Sequence, residues 1–364
     1  MDLPELVQIL CQYPALTTYF SLDSLVVFIN LLQILKPTLS LQQSSQDTDP
    51  PDGLPLNVVQ FLAQALSIPD DVVLFAWAAL KQIAWSNPPI ALVDAVRTSP
   101  LLYIKLFLVH GLSRGLALHH FLPPTRVCID PACMKDTEDP QQRELSEPKT
   151  HPVTVFTRDV GAIPGFTTSL YCRNCHTRYH SNYYIHDKAM KRTYYFATPD
   201  FVQIAQHVLM SASLCEHFAN MMVFSWTSST NCARIYNESI TNAEIQAILP
   251  PVHAKNLSMT VDDVLNGFFL FSLLLDRQER MERGDYAEPL QLENDAPSQA
   301  ERLRPALEAR NYLMVGPGQE AWSHVCNLCA WVSDDHGTIL LGVLEATGGL
   351  ENRQNRHLLA KMPT

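Results

Sequence analysis

Two close pairs of cysteines are the residues in this 364-residue sequence whose spacing most clearly indicates chemistry. Cys128 and Cys133 form a C-x4-C pair, and Cys172 and Cys175 form a C-x2-C pair. Zinc prefers four soft or borderline ligands in a tetrahedron, and two short loops that each supply two thiolates satisfy that preference. The chain between the pairs ends in a predicted hairpin, so the two loops can meet. The sequence therefore predicts one zinc ion bound by these four cysteines in a zinc-ribbon-like unit.

Three other interpretations of these cysteines remain open at this stage. The four side chains could be buried apolar residues, although free cysteines rarely occur as two close pairs around a β segment. A redox C-x-x-C motif would need a thioredoxin-like βαβ context, which the sequence does not indicate. His176 and His180 follow the second pair and are alternative ligands, but a complete set of four cysteines makes them unnecessary.

A second group of potential ligands lies near the C-terminus. His324, Cys326 and Cys329 have the spacing of half a metal site. No cysteine follows them, and only His336 and His357 could complete the set. We therefore expect an incomplete second site and a single bound zinc ion.

The region around the second cysteine pair is basic and rich in tyrosine. Between Phe166 and Phe196 the chain has five bases and one acid, and six of its twelve tyrosines. Bases can contact phosphates, and exposed aromatic rings can stack on unpaired bases. The alternative is that these tyrosines are ordinary, half-buried strand residues. The candidate surface for nucleic acid or a partner comprises Arg173, Arg178, Tyr179, Tyr183, Lys188, Lys191 and Arg192.

A further candidate partner surface lies in the stretch SWTSSTNCARIYN at residues 225–237. Arg234 and Asn237 are polar groups in a partly apolar run, and either could face a partner. The alternative is a structural corner in which Trp226 packs and Asn231 satisfies backbone donors.

Composition limits the classes of function. The formal net charge is −11, which argues against a protein that coats nucleic acid over its whole surface. Residues 126–196 nevertheless carry 10 bases and 8 acids, so their local charge is +2. The N-terminus lacks the basic start of a signal peptide, and the apolar runs are shorter than a span of about 20 residues. We therefore expect an intracellular, nuclear protein that is neither secreted nor membrane-bound.

The hydrophobic pattern predicts a mainly α protein with a small inserted β unit resembling a zinc ribbon, an α+β arrangement. A helix is expected to begin at Thr198, as N-cap, with an apolar face through Met222, and His119-His120 is expected to end a helix. Five divisions are expected. They are a helical region at residues 1–122 with a mobile linker at 37–55, a cysteine-cluster domain with a trailing helix at 123–240, a helical segment at 241–284, a charged linker at 285–310, and a partial second cluster with a divergent tail at 311–364.

The sequence resembles a known family in the segments CIDPAC, VTVFTRDVGAIPGFTTSLYCRNCHTRYHSNY, RTYY and SWTSSTNCARIYN. Together they are similar to the fungal cysteine-cluster domain associated with KDZ (Kyakuja–Dileera–Zisupton) transposases. The resemblance implies a zinc-binding, DNA-associated module that accompanies transposable elements. Similar proteins continue into a second cysteine-rich cluster, of which this chain has only the beginning, so a truncated gene product is one explanation.

Signatures of enzymes are missing from the sequence. It contains no G-x-x-x-x-G-K-[ST], G-x-S-x-G, H-E-x-x-H or G-x-G-x-x-G motif, and no small-molecule substrate is evident. The first hypothesis is a non-enzymatic zinc module that binds DNA, or a DNA-bound transposase or chromatin protein. The alternative is a helical protein–protein interaction scaffold in which zinc is purely structural. A remnant of a transposase is a third, weaker alternative.

Overall fold

A computed structural model describes residues 3–86, 100–131, 133, 143–187, 189–249, 257–284, 288–314, 330–335, 338–343 and 358–362. The chain divides into two compact units, Met1–Arg302 and Leu303–Thr364, and each is described by itself. The first unit combines helices with one large sheet, so the prediction of mixed α and β structure is confirmed.

The N-terminal part of the first unit is helical. Its helices are α1 (Leu3–Gln12), α2 (Leu16–Tyr19), α3 (Leu22–Ser40), α4 (Leu56–Leu66), α5 (Asp70–Ser86) and α6 (Pro100–Leu106). The hydroxyl of Ser21 accepts a hydrogen bond from the Ser24 amide and caps α3, and Asp70 and Asp71 lie in the first turn of α5. Apolar residues at helical spacing on α3, α4 and α5 form one shared core.

Helix α3 is long and apolar enough to cross a bilayer by composition alone. In the structure it is a core helix, because its apolar side chains pack against α4 and α5. The bent pair of α4 and α5 also passes the composition test, with an angle of 103° between the two helices. Both helices contribute buried residues to the same core.

A nine-stranded sheet follows the helices. Its strands are β1 (His120–Phe121), β2 (Ser146–Thr157), β3 (Gly161–Tyr171), β4 (Arg178–Tyr179), β5 (Tyr183–Ile185), β6 (Lys191–Tyr194), β7 (Phe201–Ala205), β8 (Val208–Ser211) and β9 (Gln291–Glu293). The order is β7-β8-β2-β3-β4-β5-β6-β9, and β1 also pairs with β3. The pairs β1/β3 and β2/β8 are parallel, and the other pairs are antiparallel.

The hairpin of β2 and β3 is the longest pairing in the sheet. Its turn is closed by Gly161, which has φ of +83° and lies so close to Ile240 that an added Cβ would be 3.0 Å from the Ile240 carbonyl oxygen. Near this turn, the buried Tyr236 hydroxyl donates to the Thr157 carbonyl at 3.0 Å. The other end of the hairpin, at Tyr171, lies next to the C-x2-C pair.

Helices return after the sheet. They are α7 (Ala212–Ser225), α8 (Ser229–Ile235), the π-helical turn Tyr236–Ile240, α9 (Ala243–Ile248), α10 (Val261–Glu282) and α11 (Gln299–Met314). A capping box begins α10, in which Thr260 and Asp263 each satisfy the other's backbone amide.

The prediction of a helix beginning at Thr198 is wrong. Residues 201–211 form the hairpin of β7 and β8, and the helix begins only at Ala212. The side chains of Val202 and Ile204 are buried at a spacing of two residues, which suits a strand as well as the helical spacing that the sequence indicated. The distant Asn182 decides the outcome, because its side chain donates to the Phe201 carbonyl and accepts from the Gln203 amide.

Other segments also differ from the sequence-based expectations. The β structure is more extensive than a small ribbon, since strands from residue 120 to residue 293 join it. Helix α3 continues to Ser40, and the indoles of Trp77 and Trp85 donate to carbonyls of Pro51 and Thr48, within the segment expected to be a mobile linker. The expected charged linker at 285–310 includes β9 and the start of α11.

The second unit has an antiparallel sheet of β10 (Ala330–Asp335), β11 (Thr338–Val343) and β12 (Leu358–Met362), in that order. The expected ligands His324, Cys326 and Cys329 lie outside the described residues.

The expectation that His119-His120 ends a helix is also wrong, because His120 belongs to β1. Its Nδ1 lies 3.0 Å from the Thr38 hydroxyl and its Nε2 lies 2.7 Å from the Thr168 hydroxyl. Thr168 in turn lies 2.7 Å from the Thr150 hydroxyl. A chain of side-chain hydrogen bonds therefore connects α3 to β1, β3 and β2.

We predict that this histidine makes stability depend on pH. Burial lowers the pKa of His120 from 6.5 to about 4, so the folded protein excludes a proton that the unfolded chain binds below pH 6.5. Stability from this group is complete above pH 6.5 and is lost progressively as the pH falls towards 4. Between pH 7 and pH 5 the expected loss is about 1–2 kcal/mol of unfolding free energy.

Urea unfolding at pH 7 and pH 5 measures this loss. The variant His120→Gln lacks this titrating group, so its stability should fall by about 1–2 kcal/mol less than that of the parent over the same interval. Equal pH dependence in the two proteins would contradict the prediction.

Candidate metal centre

The first cysteine pair lies in a loop that is held by backbone pairing. Val127 and Glu144 form an isolated antiparallel bridge. The amide of Cys128 donates to the Arg143 carbonyl at 2.9 Å, and the amide of Leu145 donates to the Arg126 carbonyl at 2.8 Å. These bonds fix the start of the loop, and Cys128 and Cys133 are both buried at its base.

The second pair lies in the tight turn that leaves β3. The amide of Cys172 donates to the Thr177 carbonyl at 2.9 Å, which closes the turn, and His176 takes a left-handed conformation with φ of 59°. The backbone amides of Asn174 and Cys175 point towards the Cys172 sulfur and donate to it. Such donors favour a thiolate over a thiol.

The four sulfurs form one compact group. Their ligand atoms all lie within 4.8 Å of one another, and three of the four side chains are buried. The Cys128 and Cys175 sulfurs are 3.5 Å apart, and the Cys133 and Cys172 sulfurs are 3.8 Å apart. A tetrahedron with metal–sulfur bonds of about 2.3 Å has sulfur–sulfur edges of about 3.8 Å. The arrangement therefore fits a tetrahedral metal ion.

The structure argues against the redox motif and against four cysteines that merely fill an apolar core. A disulfide needs about 2.05 Å between sulfurs, and all four cysteines are free. Cys172 follows an antiparallel strand, which is not the βαβ context of a redox C-x-x-C motif. Four thiols that simply filled a core would not need backbone amides directed at their sulfurs, as they are at Cys172.

The pKa values of the thiols differ across the group. Burial raises the pKa of Cys128 and of Cys172. Burial also acts to raise the pKa of Cys175, but hydrogen bonds to the side chain and backbone of Thr177 and to neighbouring thiols outweigh it, so that pKa is lowered. Cys175 is the least buried of the four.

Two polar side chains support the sulfurs from behind. The buried Tyr179 hydroxyl lies 3.2 Å from the Cys128 sulfur and accepts a hydrogen bond from the Ile129 amide. The Asn174 side-chain amide donates to the Cys133 sulfur at 3.1 Å. Partners of this kind orient metal ligands in proteins. Sequence reasoning missed this role for Tyr179, because nothing in the spacing tells a buried strand tyrosine from an exposed one.

The metal centre is attached to the N-terminal helices. The guanidinium of Arg126 donates to the Ser40 carbonyl at 2.5 Å, at the end of α3, and pairs with Glu144 at 3.4 Å. Glu144 in turn accepts from the Ser45 amide. Leu41 packs against the apolar cluster that contains the cysteines. A cation at the carbonyl end of a helix is stabilising, so this contact fixes the helix relative to the cysteine loop.

The two alternative histidine ligands lie outside the sulfur group. His176 Nδ1 lies 2.6 Å from the Tyr171 hydroxyl. The ring of His180 stacks on Tyr183 at 4.7 Å, and burial lowers its pKa to about 4. Each imidazole therefore has an aromatic neighbour of its own.

The proposed basic and aromatic surface is partly internal. Tyr179 and Tyr183 are buried, so neither ring is available to stack on a base. Arg173 pairs with Glu147 at 3.0 Å. The two other arginines lie over tyrosine rings, Arg178 over Tyr171 and Arg192 over Tyr183. Lys191 is exposed, and Lys188 lies outside the described residues.

The SWTSSTNCARIYN stretch comprises the end of α7, the turn after it, the whole of α8 and the start of the π-helical turn. Asn237 acts as a structural clamp, because its side chain accepts from the Met259 amide and donates to the Met259 carbonyl, both at 2.9 Å. Arg234 is exposed. Trp226 does not pack in a corner: it is 91% exposed and has φ of 52°, in the left-handed region.

The geometry thus defines a four-cysteine cluster that could hold a metal ion and that is built into a larger sheet. Residues 116–240 match the family model described as "CxC5 like cysteine cluster associated with KDZ transposases". This third of the chain contains all four cysteines and the SWTSSTNCARIYN stretch, and the resemblance seen in the sequence is confirmed. No curated protein and no solved structure matches the chain.

We predict that Cys172→Ser removes the bound metal. Loss of one thiolate breaks the tetrahedral set, so metal affinity should fall by more than the ~100-fold that loss of an outer partner costs. Elemental analysis of the purified protein gives the metal content, and circular dichroism gives the helical signal, which the core of α3, α4 and α5 should largely retain. Cys11→Ser is the control, because Cys11 is an exposed cysteine outside the group. Full metal content in Cys172→Ser would contradict the assignment.

Proposed function

We propose that residues 116–240 are a non-enzymatic domain in which one zinc ion is structural. Four thiolates in a closed tetrahedron are a donor set that suits zinc. Catalytic zinc needs a position open to water or substrate, and here four protein sulfurs would fill every position. The zinc would staple the Cys128 loop to the turn that leaves β3, in addition to the bond from the Ile129 amide to Tyr179 and the bond from Asn174 to the Cys133 sulfur.

We further propose that this domain acts by binding a protein, the transposase of a KDZ-type transposable element, in the nucleus. The description of the matching family associates such clusters with these transposases. Binding to a transposase belongs to the first hypothesis from the sequence, and purely structural zinc belongs to the alternative.

The observation that carries this proposal is an exposed apolar patch beside the SWTSSTNCARIYN turn. We call it the Trp226 surface, and it consists of Val223, Phe224, Trp226 and Ile235. Phe224 is 77% exposed and Val223 is 62% exposed. Trp226 is the C-cap of α7 in the left-handed region, with its amide donating to the Met221 carbonyl, and its indole is exposed to solvent. Large apolar side chains that are exposed together in a short stretch of chain indicate a site of interaction with another protein.

The border of the Trp226 surface is polar. An open groove of about 510 Å³ lies beside the indole, and its lining includes Arg234, Glu238 and Asn231. An aromatic anchor with arginine nearby is the composition that dominates binding energy in protein interfaces. A polar rim of both charges suits a protein partner better than a polyanion.

We predict that Trp226→Ala weakens binding to a KDZ-type transposase by at least about tenfold, as expected for the central aromatic of an interface. Titration calorimetry with the purified full-length chain measures the affinity. Metal content should be unchanged, because Trp226 is fully solvated and touches none of the cysteines.

Leu56→Ala is the matched control for this experiment. Leu56 is 69% exposed, at the start of α4, and its removal should leave the affinity unchanged. The proposal of this surface fails if Trp226→Ala binds as tightly as the parent chain.

Direct contact with DNA is the second candidate function, favoured by one observation. Lys191 is exposed and the Arg173 side chain is 73% exposed, and both lie in the segment that carries a positive local charge. Both groups could contact phosphates without any stacking by the buried tyrosines.

For this candidate, we predict that the full chain binds DNA with an affinity that falls as salt increases. The fall should be shallow, because few basic side chains are available to contact phosphates. Arg173→Glu combined with Lys191→Glu should abolish it, whereas Lys81→Glu, on the distant helix α5, should leave it unchanged. Fluorescence anisotropy with single- and double-stranded oligonucleotides at low salt is the measurement. Absence of binding at low salt would exclude this candidate.

A further inference from the structure

A second group of potential metal ligands adjoins the four cysteines. Asp130, Cys175 and His186 offer a carboxylate oxygen, a sulfur and a ring nitrogen that all lie within 4.8 Å of one another. His186 Nε2 lies 2.9 Å from Asp130 Oδ2. The three residues come from the first cysteine loop, the second cysteine loop and the end of β5, so only the fold brings them together.

We infer that Asp130, Cys175 and His186 form a second, exchangeable site for zinc, in which the Cys175 sulfur bridges two metal ions. The inference rests on the first site holding zinc as proposed above, because Cys175 belongs to both. Thiolate, imidazole and carboxylate are the three ligand types that zinc takes in proteins.

Charge favours a second cation at this place. One zinc ion with four thiolates has a net charge of −2, and the Asp130 carboxylate adds a further negative charge beside it. A second divalent cation within bonding distance of Cys175 would offset this charge. The carboxylate and the imidazole already lie side by side, with 2.9 Å between Asp130 Oδ2 and His186 Nε2, so both can contact one cation.

Exposure distinguishes the second site from the first. The His186 side chain is 51% exposed and the Asp130 side chain is 15% exposed, whereas Cys128, Cys133 and Cys172 are buried. Cys175 is the only one of the four cysteines that is partly exposed. Three protein ligands on the solvent side leave a fourth position for water, which makes this zinc the more readily exchanged of the two.

The neighbouring His176 provides a matched control. It follows Cys175 directly in sequence and is exposed, but its Nδ1 faces the Tyr171 hydroxyl and it is not part of the ligand group. A variant at His176 therefore tests whether an arbitrary histidine near the cysteines affects metal content.

The experiment is to measure zinc per chain in the full-length protein with Cys326→Ser and Cys329→Ser, so that the C-terminal cysteines cannot contribute. After saturation with zinc and removal of the free ion by gel filtration, we expect two zinc ions per chain in this parent and in His176→Ala. We expect one in His186→Ala and in Asp130→Asn, a twofold decrease. The retained ion shows that the four-cysteine centre is intact.

Cobalt supplies an independent readout for the same proteins. The second equivalent should add absorption bands of a site with one sulfur, and His186→Ala should lack these bands. One zinc ion in the parent, two in both variants, or loss of both ions from His186→Ala would overturn the inference. Absence of metal from the parent would instead overturn the structural zinc of the proposed function.

Discussion

The convergence of four thiols from two distant loops is the constraint on which the rest of the domain depends. Such a group of sulfurs is stable only if each loop is held by its own backbone bonds and each sulfur has donors directed at it. The Val127–Glu144 bridge holds the first loop, and the Cys172–Thr177 turn holds the second. The Tyr179 hydroxyl lies within hydrogen-bonding distance of the Cys128 sulfur. Tyrosines of the strands thus pack against the cysteine cluster and stabilise it.

The N-terminal helices depend on the same end of the sheet. Arg126 reaches the last carbonyls of α3, and His120 lies between hydroxyls of α3 and β3. Both contacts bury polar groups that must remain paired, so they fix the orientation of the helix more strictly than apolar packing would. The segment after α3 is rich in serine and proline. It contacts the same region through the hydrogen bond from the Ser45 amide to the Glu144 carboxylate.

The sequence was sufficient for features that depend on local chemistry. The spacing of Cys128, Cys133, Cys172 and Cys175 predicted the group of sulfurs, and the strand-forming residues before the second cysteine pair predicted a hairpin there. It failed where a distant partner decided between two patterns. Residues 201–211 suit a helix and a strand alike until Asn182 pairs with their backbone. The exposure of single side chains was also not predictable from the sequence. Tyr179 was placed on a candidate surface and is buried, whereas Trp226 was expected to pack in a corner and is exposed to solvent.

The long hairpin of β2 and β3 also separates the features that lie at its two ends. From the pair at Tyr171 to the turn at Gly161 it covers ten steps of strand, about 34 Å. The cysteines lie at one end, and Tyr236, which follows α8 beside the Trp226 groove, is anchored at the other. The Trp226 side chain and the four sulfurs therefore lie towards opposite ends of the hairpin. Under the functions proposed above, zinc would act on the Trp226 surface through the strands between them, so its loss would affect the surface by loosening the fold and not by removing a contact.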